Sequence, residues 1–169
     1  MKMINTILIL IFLSSCSWLQ PKYSSGLEGK SLPGINLMSK DSLTTFNTKL
    51  ITSGQPFVLF LYHASCPYCN AQTVDIIKNI SAFKGMSIYF ISTDPYALIR
   101  QYSDYYKLDK HSNIIMARDS ASQILDYFKA PGEPYLAFYD SNRKLKQVLL
   151  GKNDFKIIQA IIKDLTIQS

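Results

Sequence analysis

The sequence predicts an α/β fold, a central mixed β-sheet flanked by helices on both faces, and three observations carry that prediction. Between Phe57 and Phe128, apolar runs of strand composition alternate with stretches of helical periodicity. That order builds parallel strands joined by helices. Beyond it, two strand-like runs, Tyr135–Tyr139 and Leu145–Leu150, flank the turn residues Asp140-Ser141-Asn142-Arg143 and read as a β-hairpin. The last periodic stretch, Asp154 to Thr166, places Phe155, Ile158, Ile161, Ile162 and Leu165 on one side of a helix. A chain of 169 residues holds one such domain plus a tail, with a core of ordinary size.

The elements follow in order. Residues 31–52 carry weak strand and helix signals, around Ile35-Asn36-Leu37 and from Leu43 to Ile51. Phe57-Val58-Leu59-Phe60-Leu61-Tyr62 is an uninterrupted apolar run and reads as a buried strand. Helical spacing then takes over, with Val74, Ile77 and Ile80 on one face of a helix from about 67 to 82. Gly85 marks a turn and Ser87–Ser92 a strand. Thr93-Asp94-Pro95 reads as a cap and first turn for a helix from Tyr96 to Tyr106. Ile114–Ala117 is a short strand, and Ser120–Phe128 a helix capped by Asp119 or Ser120. Pro131-Gly132-Glu133-Pro134 breaks the chain before the hairpin.

Charge and termini bound the function. The formal charge of +6 is scattered along the chain, without a basic strip interleaved with aromatics, so nucleic-acid binding is not expected. Met1-Lys2-Met3 gives a positive start, and Thr6 to Leu13 is apolar but too short to span a bilayer. Leu13-Ser14-Ser15-Cys16 resembles the lipobox of bacterial lipoproteins, in which the cysteine is lipidated and becomes the first mature residue. On that resemblance residues 1–15 are a signal peptide. Residues 16–30 are the lipidated Cys16 and a flexible Ser-, Pro-, Gly- and Lys-containing tether, and 31–169 form the domain. A plain secretory signal cleaved near Ser15 is the blander alternative. Lipid on Cys16 would hold the protein at a membrane facing the periplasm or the cell exterior. Ser17, rather than Asp, after Cys16 favours the outer membrane under the sorting rule of enteric bacteria.

The chemistry lies in Cys66-Pro67-Tyr68-Cys69, where the buried strand turns into a helix. Residues three apart in a helical turn bring their Cβ atoms to about 5–6 Å, close to what a disulfide spans. Cys66 also sits at the helix N-terminus, where unpaired N–H groups and the helix dipole favour a thiolate. Three cysteines are present. With Cys16 assigned to lipid, the other two form a redox pair and none is left for a structural bridge. A zinc site would need two further ligands at suitable spacing, which are absent from the sequence pattern, so metal binding is not expected. The pair itself carries the redox equivalents, and no cofactor is expected.

At this point the chain resembles the thioredoxin superfamily, and within it the membrane-anchored, TlpA-like thiol–disulfide oxidoreductases. The resemblance rests on Cys66-Pro67-Tyr68-Cys69 after a buried strand, on Ile91-Ser92-Thr93-Asp94-Pro95, and on Glu133-Pro134 before strand Tyr135–Tyr139. It covers roughly residues 30–167. It implies that Cys66 is the nucleophile and Cys69 the resolving thiol. It also implies that Pro134 is a cis-proline beside the disulfide, lining a substrate groove with Glu133. The long interval from Cys69 to Pro134 implies the extra helix and strand of TlpA-like proteins. Protein thiols and disulfides, and an upstream redox partner, are the implied partners.

Departures from the family pattern are informative. The Asp or Asn often found six positions before the first cysteine is Phe60 here, and the Glu often found three after the second is Gln72. Both places can supply or tune a proton acceptor for the buried thiol of Cys69, so that acceptor is left unassigned. His63 lies on the strand end before the cysteines. Protonated, it would favour a Cys66 thiolate; a half-exposed strand-end histidine without a role is the simpler reading. A Glu133 carboxylate pointing at Cys66 would disfavour its thiolate, whereas one pointing to solvent would do nothing. Two other functions stay open: a non-catalytic redoxin-fold binding lipoprotein, and a thiol peroxidase. The peroxidase needs Thr or Ser about three residues before its cysteine, where this chain has His63.

Overall fold

A computed structural model describes residues 23–51 and 53–167. Cys16 and the apolar segment before it lie outside the described residues. The sheet has seven strands: β1 (Asn36–Ser39), β2 (Thr45–Asn47), β3 (Phe57–Leu61), β4 (Ser87–Ser92), β5 (Ile114–Arg118), β6 (Tyr135–Tyr139) and β7 (Leu145–Leu150). Their order is β2-β1-β5-β4-β3-β6-β7. The central β3, β4 and β5 run parallel, and the remaining pairs are antiparallel, so the sheet is mixed as expected. Among the described residues four α-helices accompany it: α1 (Pro67–Lys78), α2 (Tyr96–Tyr106), α3 (Gln123–Phe128) and α4 (Phe155–Ile167).

All five β3 side chains are buried, because neighbours cover both faces of the sheet. Val58, Phe60 and Tyr62 enter a core shared with Ile76 of α1, Ile99 and Tyr102 of α2, and Ile158, Ile161 and Ile162 of α4. Phe57, Leu59 and Leu61 enter a second core with Ile124 and Phe128 of α3. The strand period of two thus divides one apolar run between two layers.

Three boundaries differ from the sequence reading, each for a local reason. The helix expected to reach residue 82 ends at Lys78. Asn79 leaves helical geometry and its side-chain amide donates to the Asp75 carbonyl at 2.9 Å, and a 3-10 turn (Ile80–Phe83) follows. Helix α3 starts three residues late, at Gln123, because Ser122 adopts a left-handed conformation (φ 56°). Asp119 nonetheless caps it, its carboxylate accepting the Gln123 and Ile124 N–H groups at 3.0 and 2.7 Å. Asp119→Ala should therefore lower stability by about 0.5–2 kcal/mol, read as a shift of the denaturant midpoint.

The third difference corrects the expected tether. Residues 23–30 are part of the folded body. Tyr23 packs edge-on against Tyr135, with ring centroids 6.1 Å apart. Gly29 N–H donates to the Leu145 carbonyl at 2.7 Å, and Leu145 N–H donates back to Lys30 at 2.9 Å. These bonds extend β7 pairing beyond the sheet. Low hydropathy between Ser24 and Lys30 concealed the segment: Tyr23 and Leu27 pack against the core, and backbone bonds at Gly29 and Lys30 supply the rest of its attachment.

Candidate active site

Strand β3 delivers the reactive loop to the end of the sheet. Tyr62 N–H donates to the Ile91 carbonyl at 3.1 Å, and a turn follows in which Cys66 N–H donates to the His63 carbonyl at 3.0 Å. Cys66 is the N-cap of α1 and Pro67 its first residue, where a missing N–H costs nothing. The Cys66 sulfur accepts the Cys69 N–H at 3.3 Å, so one orphan donor of the helix already points at it. Cys66 is half-buried and Cys69 fully buried, both as free thiols. Tyr68 projects outward, 67 % exposed, and touches neither core.

Burial in the α1 core pushes the Cys69 thiol up strongly, and the neighbouring Cys66 and Glu133 add to that, while a backbone hydrogen bond from His63 opposes it. A thiol so placed stays protonated until a base or a change of partner removes its proton. The Glu133–Pro134 peptide is cis, Pro134 is buried, and the Glu133 carbonyl lies 3.8 Å from the Cys66 sulfur. The loop before β6 thus closes over the nucleophile with its backbone.

The two positions that depart from the family pattern have structural occupations. Phe60 packs edge-on against Phe90 at 4.8 Å and is stacked with Tyr62 at 5.9 Å. The core under Cys69 is therefore aromatic where an acid would otherwise stand. Gln72 is buried in α1, and its side-chain oxygen accepts the Asn153 N–H at 2.8 Å. One turn on, Asp75 pairs with Lys152 at 2.6 Å. Together they tie α1 to the loop between β7 and α4.

His63 is half-exposed at the strand end, as the simpler reading has it, but its imidazole has a buried partner. Its Nδ1 lies 2.9 Å from Oδ1 of Asp94, a carboxylate whose side chain is 1 % exposed. Oδ2 of Asp94 accepts the Ala64 N–H at 2.7 Å and the Ser92 hydroxyl at 3.0 Å. Asp94 was expected to cap α2, but its side chain makes no capping bond there; it turns back toward the reactive loop. A signal for this was available. Parallel pairing of β3 with β4, Leu61 opposite Ile91, places the residues just past both strand ends together. Sequence separation hides that neighbour until the register is known.

Glu133 is half-buried and its carboxyl sits above the ordinary 4.5, first through burial and then through Asp94, with His63 pulling it back. The unfolded chain ionises this group first as pH rises past 4.5, so its ionisation favours unfolding above that point and has no effect well below it. Glu133→Gln is expected to be more stable than wild type at about pH 7, the difference fading under acid. Thermal melts across the pH range test this.

Beside the nucleophile, Ala64, Ser65, Asn70, Tyr102, Tyr105 and Tyr106 line an open cleft of about 340 Å³. Tyr105 is exposed there, while Tyr102 is buried and shares a 2.7 Å hydrogen bond with Thr73. Among the described residues no three His, Cys, Asp or Glu side chains are grouped to hold a metal ion. No helix among them is long and apolar enough to cross a membrane.

Known proteins agree with this architecture. A secreted Mycobacterium tuberculosis disulfide oxidoreductase homologous to Escherichia coli DsbE superposes with a TM-score of 0.65 at 17 % identity, over 78 % of this chain and 96 % of that one. The thioredoxin domain of a Bacteroides vulgatus thiol–disulfide oxidoreductase gives 0.66 at 20 % identity, over 82 % and 97 %. The peroxidoxin BcpB of Mycobacterium tuberculosis gives 0.68 at 19 % identity, over 82 % and 97 %. No curated protein matches the sequence itself. These likenesses establish a thioredoxin-like fold. The AhpC/TSA family model matches residues 29–148, from the docked N-terminal segment into β7, and the chain belongs to the AhpC/TSA family of the thioredoxin superfamily.

Proposed function

We propose that this protein is a thiol–disulfide oxidoreductase that exchanges disulfides with exported protein substrates through Cys66-Pro67-Tyr68-Cys69. The observation that carries the reading is the asymmetry of the pair. Cys66 is reachable at a helix N-terminus and receives an N–H from Cys69, while Cys69 is buried and held as a thiol.

In the reducing direction, the Cys66 thiolate attacks one sulfur of a substrate disulfide. The substrate S–S bond breaks, one substrate thiolate leaves and takes a proton, and a mixed disulfide remains on Cys66. Cys69 then loses its proton and attacks the Cys66 sulfur. The Cys66–Cys69 disulfide forms, the second substrate thiolate leaves, and two electrons have passed to the substrate. The oxidising direction reverses each step. The open cleft beside Ser65 leaves room for residues flanking a substrate cysteine. Catalysed precipitation of insulin by dithiothreitol, present in wild type and absent in Cys66→Ser, tests the reading; equal rates in both would end it.

Hydroperoxide reduction is the rival, since peroxidoxin BcpB shares the fold. His63 occupies the position where that chemistry needs Thr or Ser, and its imidazole is engaged by Asp94. Exchange is therefore the better fit.

The same proposal places the protein on a bacterial envelope membrane, held by lipid on Cys16. Support comes from Leu13-Ser14-Ser15-Cys16 behind a short apolar segment. A metabolically supplied fatty acid should label wild type and not Cys16→Ala. Unlabelled wild type would refute the anchor without touching the redox reading.

A further inference from the structure

Taking the exchange reaction as its basis, we propose that Asp94 is a positioning residue for it, holding the His63 imidazole as the proton acceptor and donor of the Cys66 step. Asp94 carries the resemblance only as part of Ile91–Pro95, and its role here follows from where the three bonds of its carboxylate go. One oxygen meets His63 Nδ1 at 2.9 Å. The other takes the Ala64 N–H at 2.7 Å and the Ser92 hydroxyl at 3.0 Å. Ala64 lies inside the turn that His63 and Cys66 close with their own backbone bond. One buried carboxylate therefore fixes both the imidazole and the turn that presents the nucleophile.

The bond to Asp94 also selects a tautomer. With Nδ1 donating its proton to the carboxylate, Nε2 keeps its lone pair. The side chain is 48 % exposed, so Nε2 is free to take a proton. Around the imidazole stand Asp94 from the β4–α2 loop, Glu133 from the loop before β6, and Ser65 on its own turn, whose hydroxyl is 3.4 Å from Nδ1. The Tyr62 phenol, just past β3, is kept protonated by burial and also feels Asp94.

The step balances simply. The Cys66 S–H bond breaks and its proton moves to His63 Nε2. The thiolate attacks the substrate disulfide, and the leaving substrate thiolate takes that proton from the imidazolium. No other reactant is needed.

The test is the pH dependence of single-turnover reduction of a small aromatic disulfide. Wild type should show an inflection that is lost in His63→Gln and in Asp94→Asn, with rates about tenfold lower at neutral pH, short of the ~10²-fold of a buried acid–base residue because water shares the role. Added imidazole should restore much of the rate to His63→Gln, which a purely structural role would not allow. His63→Gln keeps the proposal testable if Asp94→Asn fails to fold, since His63 is exposed. A wild-type profile and rate in folded His63→Gln would overturn the proposal while leaving exchange intact. Wild type inactive toward every disulfide would instead bring down the exchange reading and this proposal with it.

Discussion

Replacing Cys66 with serine is expected to reduce disulfide exchange to the uncatalysed background, and replacing Cys69 to stop the reaction half-way. A serine hydroxyl is not ionised near neutrality and cannot form a disulfide, so Cys66→Ser removes the only reachable sulfur of the pair. Cys69→Ser keeps the nucleophile and removes the thiol that resolves it. Mixed disulfides with substrate should then accumulate on Cys66, visible on non-reducing gels and lost on adding dithiothreitol. Equal trapping by both variants would contradict the division of labour that burial assigns. Both variants should fold normally, because no disulfide holds the described structure together and each substitution removes little volume.

The largest stability effect is expected at Phe60. Its ring is fully buried in the core that supports α1, against Phe90 and Tyr62. Phe60→Ala should cost about 3–5 kcal/mol, combining lost transfer energy with the cavity left behind. Against a total of about 5–15 kcal/mol, that is a large share. A chemical denaturation midpoint measures it, with Phe60→Leu as the milder comparison. A loss below 1 kcal/mol would mean that the aromatic cluster collapses to fill the space. Cys69 and Tyr62 share this core, so the variant should also leave the buried thiol more accessible to alkylation.

The sheet was legible because its central strands are apolar runs too long and too unbroken for anything else. Phe57–Leu61 and Tyr135–Tyr139 fall where the pattern places them. The hairpin was legible from its turn residues, and α4 from its five apolar positions, of which Ile158, Ile161, Ile162 and Leu165 are buried. Helix ends were less so, since Asn79 and Ser122 break periodicity through single backbone conformations rather than composition. The docked segment 23–30 was illegible for a different reason: two isolated apolar side chains, Tyr23 and Leu27, and a few backbone bonds make no periodic signature.

The candidate site divides along the same line. Cys66, Cys69 and Pro134 stand out because spacing and residue type mark them. His63 and Glu133 were visible as residues but ambiguous in orientation. Asp94 was read as a helix cap, and only the register of β3 against β4 reveals that it faces His63 instead. Proline after it does not forbid a cap, since a capping carboxylate accepts from the second or third helical N–H; Asp94 instead finds its partners at His63 and Ala64, on the loop after β3, and at Ser92 of its own strand.

The most direct measurement of the central claim is a single turnover with one equivalent of a protein disulfide, followed by peptide mapping of every cysteine. The account predicts that reduced protein becomes the Cys66–Cys69 disulfide while the substrate gains two thiols, in equal amounts. Free thiols at both positions after the substrate disulfide has had time to react, with Cys66 oxidised only by hydroperoxide, would contradict it.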